Sequence, residues 1–206
     1  MSIYRCNTVT AVFFGVLFSV SACTSNTIQD TYYSLAPGTA AGSVIPALKQ
    51  RESRLTLVSI TLPKFLQNQN LVMQNGAHTL VPARHHFWAE PLEDGIAKVL
   101  VQGITKNAST LQVESNAGRW SAGTNCSLRL EFDSFHATQS GQVISSGRFW
   151  LQDTESKSPI VQQFNYSDDL LLDGYAQTVS QLQSSLQVLA SAIVSAIEDS
   201  GVCKTG

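Results

Sequence analysis

The chain has 206 residues, of which 14% are charged and 43% hydrophobic, and its formal net charge is −2. This composition excludes a disordered, highly charged protein, because such chains combine a large net charge with few apolar residues. It also argues against binding to DNA or RNA, since no excess of Lys and Arg is present to neutralise a phosphate backbone. The length suffices for one domain with a hydrophobic core of its own.

The first 22 residues are typical of a leader that directs export. Arg5 precedes an uncharged, largely apolar run over residues 8–20, which is shorter than the roughly 20 residues needed to span a bilayer. The sequence Val20-Ser21-Ala22-Cys23 then resembles a bacterial lipobox. We therefore expect cleavage after residue 22 and attachment of diacylglycerol to the Cys23 thiol. An ordinary secretory signal that ends near a cysteine by chance is the alternative.

The residues after Cys23 indicate where the protein is held. Thr24 stands where a retention signal for the inner membrane usually has Asp, so we expect the periplasmic face of the outer membrane. Residues 23–30 comprise the acylated cysteine and a short polar tether, which spans at most about 25 Å when extended. Residues 31–206 are expected to form the domain that this tether holds close to the membrane.

Hydrophobic periodicity and turn residues predict the elements of the domain in chain order. Four strands are predicted first, at residues 31–35, 55–60, 71–74 and 79–81. Asn75-Gly76 is a turn signal between the last two of them. Pro91 then opens a helix whose apolar stripe runs from Leu92 to Ile104, and a short strand follows at residues 111–113.

The second half of the domain begins with residues 126–132, where apolar and polar side chains alternate as in a strand with one solvated face. Ser140-Gly141 turns the chain into a strand at residues 143–151, and residues 160–166 add another. Apolar residues then recur every three or four positions from Leu172 to Ala196, which predicts a helix of about seven turns. The element order predicts an α+β fold: a single domain with an antiparallel or mixed sheet and two amphipathic helices packed on one face.

The cysteines support export. Cys6 leaves with the leader and Cys23 is acylated, so Cys126 and Cys203 remain. Two cysteines in an oxidising compartment are a candidate disulfide. Two unrelated thiols are the alternative, one buried in a strand and one near the C-terminus.

A first candidate for metal binding is His85-His86 with Glu90 and Glu93. Adjacent histidines point to opposite sides of an extended backbone, and the HExxH and HxH spacings of zinc sites are absent from the sequence. These residues are better interpreted as polar residues in the loop before a helix, with the two glutamates at its positive end. No metal or other cofactor is expected.

The sequence contains no motif that would support catalysis or nucleotide binding. G-x-S-x-G, Walker A and G-x-G-x-x-G sequences are all absent. Cys126 lies on the apolar face of a predicted strand, where a reactive thiolate is disfavoured. The chain is therefore predicted not to be an enzyme. A periplasmic hydrolase remains an alternative, and it would need a deep cleft that places His78, His85 or His86 beside a carboxylate.

Two features suggest contact with other proteins. Trp120 lies in a Gly- and Ser-flanked loop and is the best candidate for an exposed aromatic contact. The last helix has a near-heptad apolar seam that would suit pairing with a second subunit. Its flanking residues are Ser, Gln and Ala rather than Glu and Lys, which favours packing on its own sheet.

Several segments in order resemble the ABC-type transport auxiliary lipoprotein family. They are Tyr32–Leu35, Ile60–Leu66, Leu71–Met73 and Trp88–Leu92 followed by Gly95-Ile96. Phe87 stands where the family commonly has Arg, so the charge contact expected there is missing.

The resemblance implies a non-enzymatic lipoprotein of the outer membrane. It would be an accessory component of a system in which an MCE-domain protein spans the periplasm as a tunnel for lipids, and it would dock at the outer-membrane end as a homo-oligomer. Trp88, Glu90 and Pro91 are the expected signature and interface residues: Pro91 would start the helix, Glu90 would bond its free N–H groups, and Trp88 would be a buried anchor or a contact residue. An outer-membrane lipoprotein that regulates a cell-wall synthase is the alternative.

Overall fold

The structure is a computed structural model that describes residues 28–35, 53–108, 110–115, 126–153 and 158–203. The predicted leader, Cys23 and Trp120 lie outside the described residues. A short 3-10 helix at Lys64–Leu66 precedes the third strand. The strands and α-helices are β1 (Thr31–Tyr33), β2 (Ser53–Thr61), β3 (Asn70–Gln74), β4 (Leu80–Trp88), α1 (Leu92–Asn107), β5 (Leu111–Ser115), β6 (Cys126–Thr138), β7 (Gln142–Asp153), β8 (Ile160–Asp169) and α2 (Tyr175–Ser200).

The strands form one mixed sheet, and β6 is its central strand. One edge of β6 pairs antiparallel with β7, which in turn pairs antiparallel with β8. The other edge is shared between two strands. β2 lies parallel to the first half of β6 and carries β5, whereas β3 lies parallel to Ala137 and Thr138 at the end of β6 and carries β4 and β1.

Both helices pack on one face of this sheet. α1 contacts β2 and β5, α2 contacts β6 and β7, and the helices contact each other. The apolar stripe predicted for α1 is buried throughout, and α2 buries residues at the predicted spacing from Val179 to Ile197. Removal of these stripes from water is the main force that holds the helices on the sheet. The predicted α+β fold with a mixed sheet and two helices on one face is confirmed.

β6 continues past the segment predicted from its alternation. Its buried positions are even-numbered up to Phe132, after which a bulge between Phe132 and Ser134 shifts the register. Phe135 and Ala137 are then the buried apolar positions, with His136 buried between them, so the strand keeps an apolar side on the core as far as Ala137.

Other predicted boundaries are also wrong: β1 ends at Tyr33 and β8 continues to Asp169. β4 extends from Leu80 to Trp88, so His85 and His86 lie in a strand and not in a loop before the helix. β4 is longer than predicted because β1 and β3 pair with it on both sides, which a local pattern does not reveal. The last helix begins at Tyr175 rather than at residue 172, because Gly174 has a φ of 114°, outside the helical range.

Candidate interaction surface

The two adjacent histidines of β4 bind different partners. The Nδ1 atom of His85 lies 2.9 Å from a carboxylate oxygen of Asp30, and the Nδ1 atom of His86 lies 2.9 Å from the hydroxyl of Tyr33. Burial, with a smaller contribution from nearby Tyr175, raises the pKa of Tyr33, so its hydroxyl stays protonated in this hydrogen bond. The structure therefore uses both histidines to attach the start of the domain to β4.

Aromatic rings extend this attachment to the last helix. The ring of His86 stacks on that of Tyr175 with a centroid separation of 3.7 Å, and Tyr32 stacks on Phe87 at 5.5 Å. β1, β4 and the first residue of α2 are thus joined at one place. The sequence did not identify Tyr175 as part of this cluster, because it was interpreted only as one position of a helical stripe.

An open groove of about 470 Å³ lies beside the cluster. Its walls come from the end of β3, the first half of β4, the β6–β7 turn and the start of α2. The lining residues include Gln74, Val81, His86, Gln139 and Tyr175. The groove is open to solvent and lined mainly by apolar and uncharged polar groups, with Arg84, His85 and His86 as its basic residues. Such a groove suits the binding of a surface or an apolar ligand better than catalysis of a reaction.

Three connections lie together beside this groove, at residues 75–79, 139–141 and 170–174. We name this part of the molecule the loop end. The amide of Gln139 donates to the carbonyl of Gln74 at 2.8 Å, and the amide of Leu170 donates to the carbonyl of Gly141 at 2.7 Å. Gly76 and Gly141 have φ values of 75° and 79°, which their turns require and which other residues rarely adopt. The loop end is therefore one hydrogen-bonded unit.

The residues proposed for metal binding are not brought together. His85 pairs with Asp30, whereas Glu90 forms an ion pair with Lys98 on α1. In the described ranges, no group of three or more His, Cys, Asp and Glu side chains is arranged to hold a metal ion. The His85 and Asp30 side chains are 40% and 51% exposed, at the rim of an open groove, whereas a hydrolase would need them in a deep cleft.

Trp88, Glu90 and Pro91 surround the start of α1. Trp88 is only 6% exposed, and its amide donates to the carbonyl of Gln69 at 2.6 Å, so this side chain packs inside its own chain. Pro91 is the N-cap residue, immediately before the helix, and its carbonyl accepts the amides of Asp94 and Gly95.

Glu90 has a different role from the expected one. No side chain caps the first turn of α1, and the Glu90 carboxylate binds the ammonium group of Lys98. The expectation that Glu90 bonds the free N–H groups of the helix is therefore wrong. Lys98 lies two turns along α1, and this favourable charged partner outcompetes the amides of the first turn.

Cys126 and Cys203 form a disulfide in the structure, with an S–S distance of 1.96 Å and Cα atoms 5.1 Å apart. Both residues are buried. The bond joins the first residue of β6 to the segment after α2, at the end of β6 opposite to the loop end. In the described part of the chain, no helix has the length and apolar content that a membrane span requires.

Comparison with protein families gives one match over most of the domain. The model of the ABC-type transport auxiliary lipoprotein component matches residues 33–194. The intermembrane transport lipoprotein PqiC of Escherichia coli K12 is 26% identical over 179 residues, which cover 87% of this chain and 92% of PqiC. The similarity therefore extends over almost the whole of that relative.

Solved structures share the fold. A protein of uncharacterised function superposes with a TM-score of 0.68 and 22% identity, over 82% of this chain and 99% of that protein. A protein from Xanthomonas campestris superposes with a TM-score of 0.62 and 13% identity, over 83% and 96% of the two chains. At these identities the likeness concerns the fold alone.

Proposed function

Because the chain belongs to the ABC-type transport auxiliary lipoprotein family, we propose that it is a non-catalytic accessory component of an MCE-type system for lipid transport between membranes. It is anchored to the periplasmic face of the outer membrane through acylated Cys23 and docks at the outer-membrane end of the tunnel. The observation that carries this proposal is the match over nearly the full length of PqiC, whose name describes an intermembrane transport lipoprotein.

The described residues support a binding role. At the junction of β1, β4 and α2, the side chains of His85 and His86 hold the start of the domain, and His85 lies at the rim of an open groove rather than in a deep cleft. The exposed start of α1 offers Pro91, with Glu90 beside it, for contact with the partner, and Trp88 supports this surface from below. Trp120 is a further proposed contact outside the described residues.

An exposed sheet edge supports assembly with further copies of the chain. Among the described residues, β8 pairs only with β7, so its other edge is open over ten residues that include neither Pro nor Lys. Long open edges of this kind readily pair with another strand. The native mass of the detergent-solubilised, acylated protein is expected to be a multiple of the protomer mass, and a monomer mass would contradict this assembly.

The function is tested by crosslinking the natively expressed, C-terminally tagged protein in cells and identifying partners by mass spectrometry. We expect an MCE-domain protein among them. A Pro91→Arg variant should recover several-fold less of it, because the new charge lies at the proposed contact. Pro159→Arg is the matched control, since Pro159 is also exposed and also precedes a regular element, β8.

Two outcomes would contradict the proposal. Recovery of a cell-wall synthase instead of an MCE-domain protein would place the lipoprotein in a different system. If Pro91→Arg and Pro159→Arg reduce the yield of the MCE-domain protein equally, the proposed function would stand, but the start of α1 would be rejected as the contact.

A further inference from the structure

Most of the exposed large apolar side chains gather at one end of the molecule. Among the described residues eight such side chains are exposed, and five of them lie on or near the loop end and its groove: Ile28, Leu80, Val81, Leu171 and Leu172. Of the other three, Tyr32 lies opposite Phe87 near the far end of β4, and Val161 and Val188 lie on β8 and α2. A concentration of this kind marks a contact surface, whereas single exposed apolar residues are ordinary.

Leu171 and Leu172 are the most exposed of the group apart from Ile28, at 81% and 69%. Their position is set from both sides. The preceding residue, Leu170, is bonded to Gly141 in the β6–β7 turn, and Tyr175 beyond them stacks on His86. The segment is therefore stretched along the margin of the groove, and its two leucines project from a connection that is fixed at each end.

The N-terminal part of the chain leaves the domain toward the same end. β1 runs parallel to β4 with Thr31 opposite His86, so residues before Thr31 run back alongside β4 toward Leu80. The contact between Asp30 and His85 continues this register by one residue. The chain therefore runs from Thr31 back to Ile28, which is 70% exposed, in the direction of the loop end and away from the disulfide.

The length of the tether limits how far this end can stand from the membrane. Ile28 is five residue steps from Cys23, which corresponds to at most about 18 Å of extended chain. If the acyl chains of Cys23 lie in the bilayer, Ile28 and the adjoining loop end are held within this distance of the lipid headgroups.

Resting on the proposed acylation of Cys23, we propose that the loop end is a second, non-covalent membrane contact and that Leu171 and Leu172 insert into the bilayer surface. Apolar side chains of interfacial segments are buried about 5–10 Å into the boundary between headgroups and acyl chains. The contact orients the domain, so that β6 extends away from the membrane and the disulfide end faces the periplasm.

The charges at this end specify the kind of lipid contact. Asp168, Asp169 and Asp173 flank the two leucines, and Asp30 and Arg84 lie at the groove. The acidic side chains outnumber Arg84, so anionic headgroups do not attract this surface and insertion depends on apolar burial. Insertion should therefore not increase with the fraction of anionic lipid, and salt, which screens the repulsion, should not weaken it.

The test places a fluorophore at each of two exposed apolar positions of the acylated, full-length mature protein. NBD is attached to a cysteine introduced by Leu172→Cys or, as the matched control, by Val188→Cys. Each protein is reconstituted in vesicles of phosphatidylethanolamine and phosphatidylglycerol that contain nitroxide-labelled lipid. We expect the emission at position 172 to shift to the blue and to be quenched several-fold more than the emission at position 188.

Separate readouts distinguish this inference from the anchor on which it rests. The mass of the N-terminal peptide reports acylation of Cys23, and flotation with the vesicles reports anchoring. Acylated, floating protein with equal quenching at positions 172 and 188 would overturn the membrane contact and leave the anchor intact. A blue shift at position 172 without nitroxide quenching would also overturn it, because a protein surface would then cover the leucines. Absence of the acyl mass would overturn both.

Discussion

His136 is a titratable side chain in the core. It lies in the second half of β6, is 4% exposed, and its Nδ1 donates to the carbonyl of Ala137 at 3.2 Å. Burial lowers the pKa of His136 below the ordinary value of a histidine, and the hydrogen bond to the carbonyl acts in the opposite direction. The neutral imidazole is therefore the form that the folded protein accommodates.

This burial predicts a pH-dependent stability. In the unfolded chain the histidine binds a proton below about pH 6.5, whereas in the folded protein it does so only at lower pH. The unfolded state thus binds more protons between these two values, so the free energy of unfolding falls as the pH decreases below about 6.5. It stops falling from this cause once the pH is below the pKa in the folded protein.

Urea unfolding at pH 7.5 and at pH 5.5 measures the effect. We expect the free energy of unfolding of His136→Gln to differ less between pH 7.5 and pH 5.5 than that of the natural protein. His78→Gln is the control, because His78 is exposed in the β3–β4 connection, and it should retain the behaviour of the natural protein. An identical pH dependence in the natural protein and His136→Gln would reject the assignment.

The disulfide leads to a second prediction at this scale. Cys126 and Cys203 are 77 residues apart, so the bond closes a long loop in the unfolded chain and restricts its conformations. The double variant Cys126→Ala/Cys203→Ala is expected to lower the free energy of unfolding by roughly 3–5 kcal/mol. Chemical denaturation with and without a reductant measures this, and a reductant should have no effect on the double variant.

At the scale of elements, α1 and α2 approach each other closely at Gly103. A Cβ atom on Gly103 would lie 2.8 Å from the Cβ of Ala190 on α2, closer than real Cβ atoms come. The other glycine of α1, Gly95, has more space, because its nearest neighbour would be a methyl group of Leu35 at 3.4 Å. The two positions share one helix but differ in what lies opposite them.

Gly103→Ala and Gly95→Ala therefore form a matched pair. Both gain up to about 1 kcal/mol of intrinsic helix propensity. Gly103→Ala must also separate α1 from α2, and overpacking of this kind costs about 1–3 kcal/mol. We expect thermal or chemical unfolding to find Gly103→Ala less stable than Gly95→Ala. Equal stabilities of the two variants would mean that α1 and α2 are less closely packed at Gly103 than the structure shows.

At the scale of the whole molecule, the domain has two different ends. β6 is 13 residues long, which spans about 40 Å, and it runs from the disulfide at Cys126 to the loop end after Thr138. The exposed apolar residues and the departing tether lie at the loop end. Asp168, Asp169 and Asp173 lie at the same end, so its apolar surface is bordered by acidic side chains.

Two adjacent positions are predicted to determine the location of the protein. Cys23→Ala should remove the acylation site and leave an uncleaved precursor that is retained at the inner membrane or released as a soluble form. Thr24→Asp should be acylated but remain in the inner membrane. Fractionation of the two membranes with mass analysis of the N-terminal peptide distinguishes these cases. Mature Cys23→Ala protein in the outer membrane would refute the lipoprotein assignment.

Short-range patterns were sufficient to predict the type and order of the elements. The apolar stripes of α1 and α2, the alternation at the start of β6 and the glycine turns at Gly76 and Gly141 depend on neighbours within a few residues, so they can be interpreted without tertiary contacts. The family could also be recognised from the sequence alone, because its characteristic segments are short and follow one another in a fixed order along the chain.

Only the tertiary structure decided what those elements bring together. β4 is a long strand because β1 and β3 pair with it. Glu90 binds Lys98, and Tyr175 stacks on His86, although the two aromatic residues are 89 positions apart in the sequence. The consecutive leucines at 170–172 were the available signal for the loop end, but the sequence pattern assigned Leu172 to the following helix. The structure shows instead that Leu172 is exposed. The parallel register of β1 and β4 shows that the chain before Thr31 runs toward the same end of the molecule. Such proximity of distant segments depends on how the sheet is assembled, which a local pattern does not reveal.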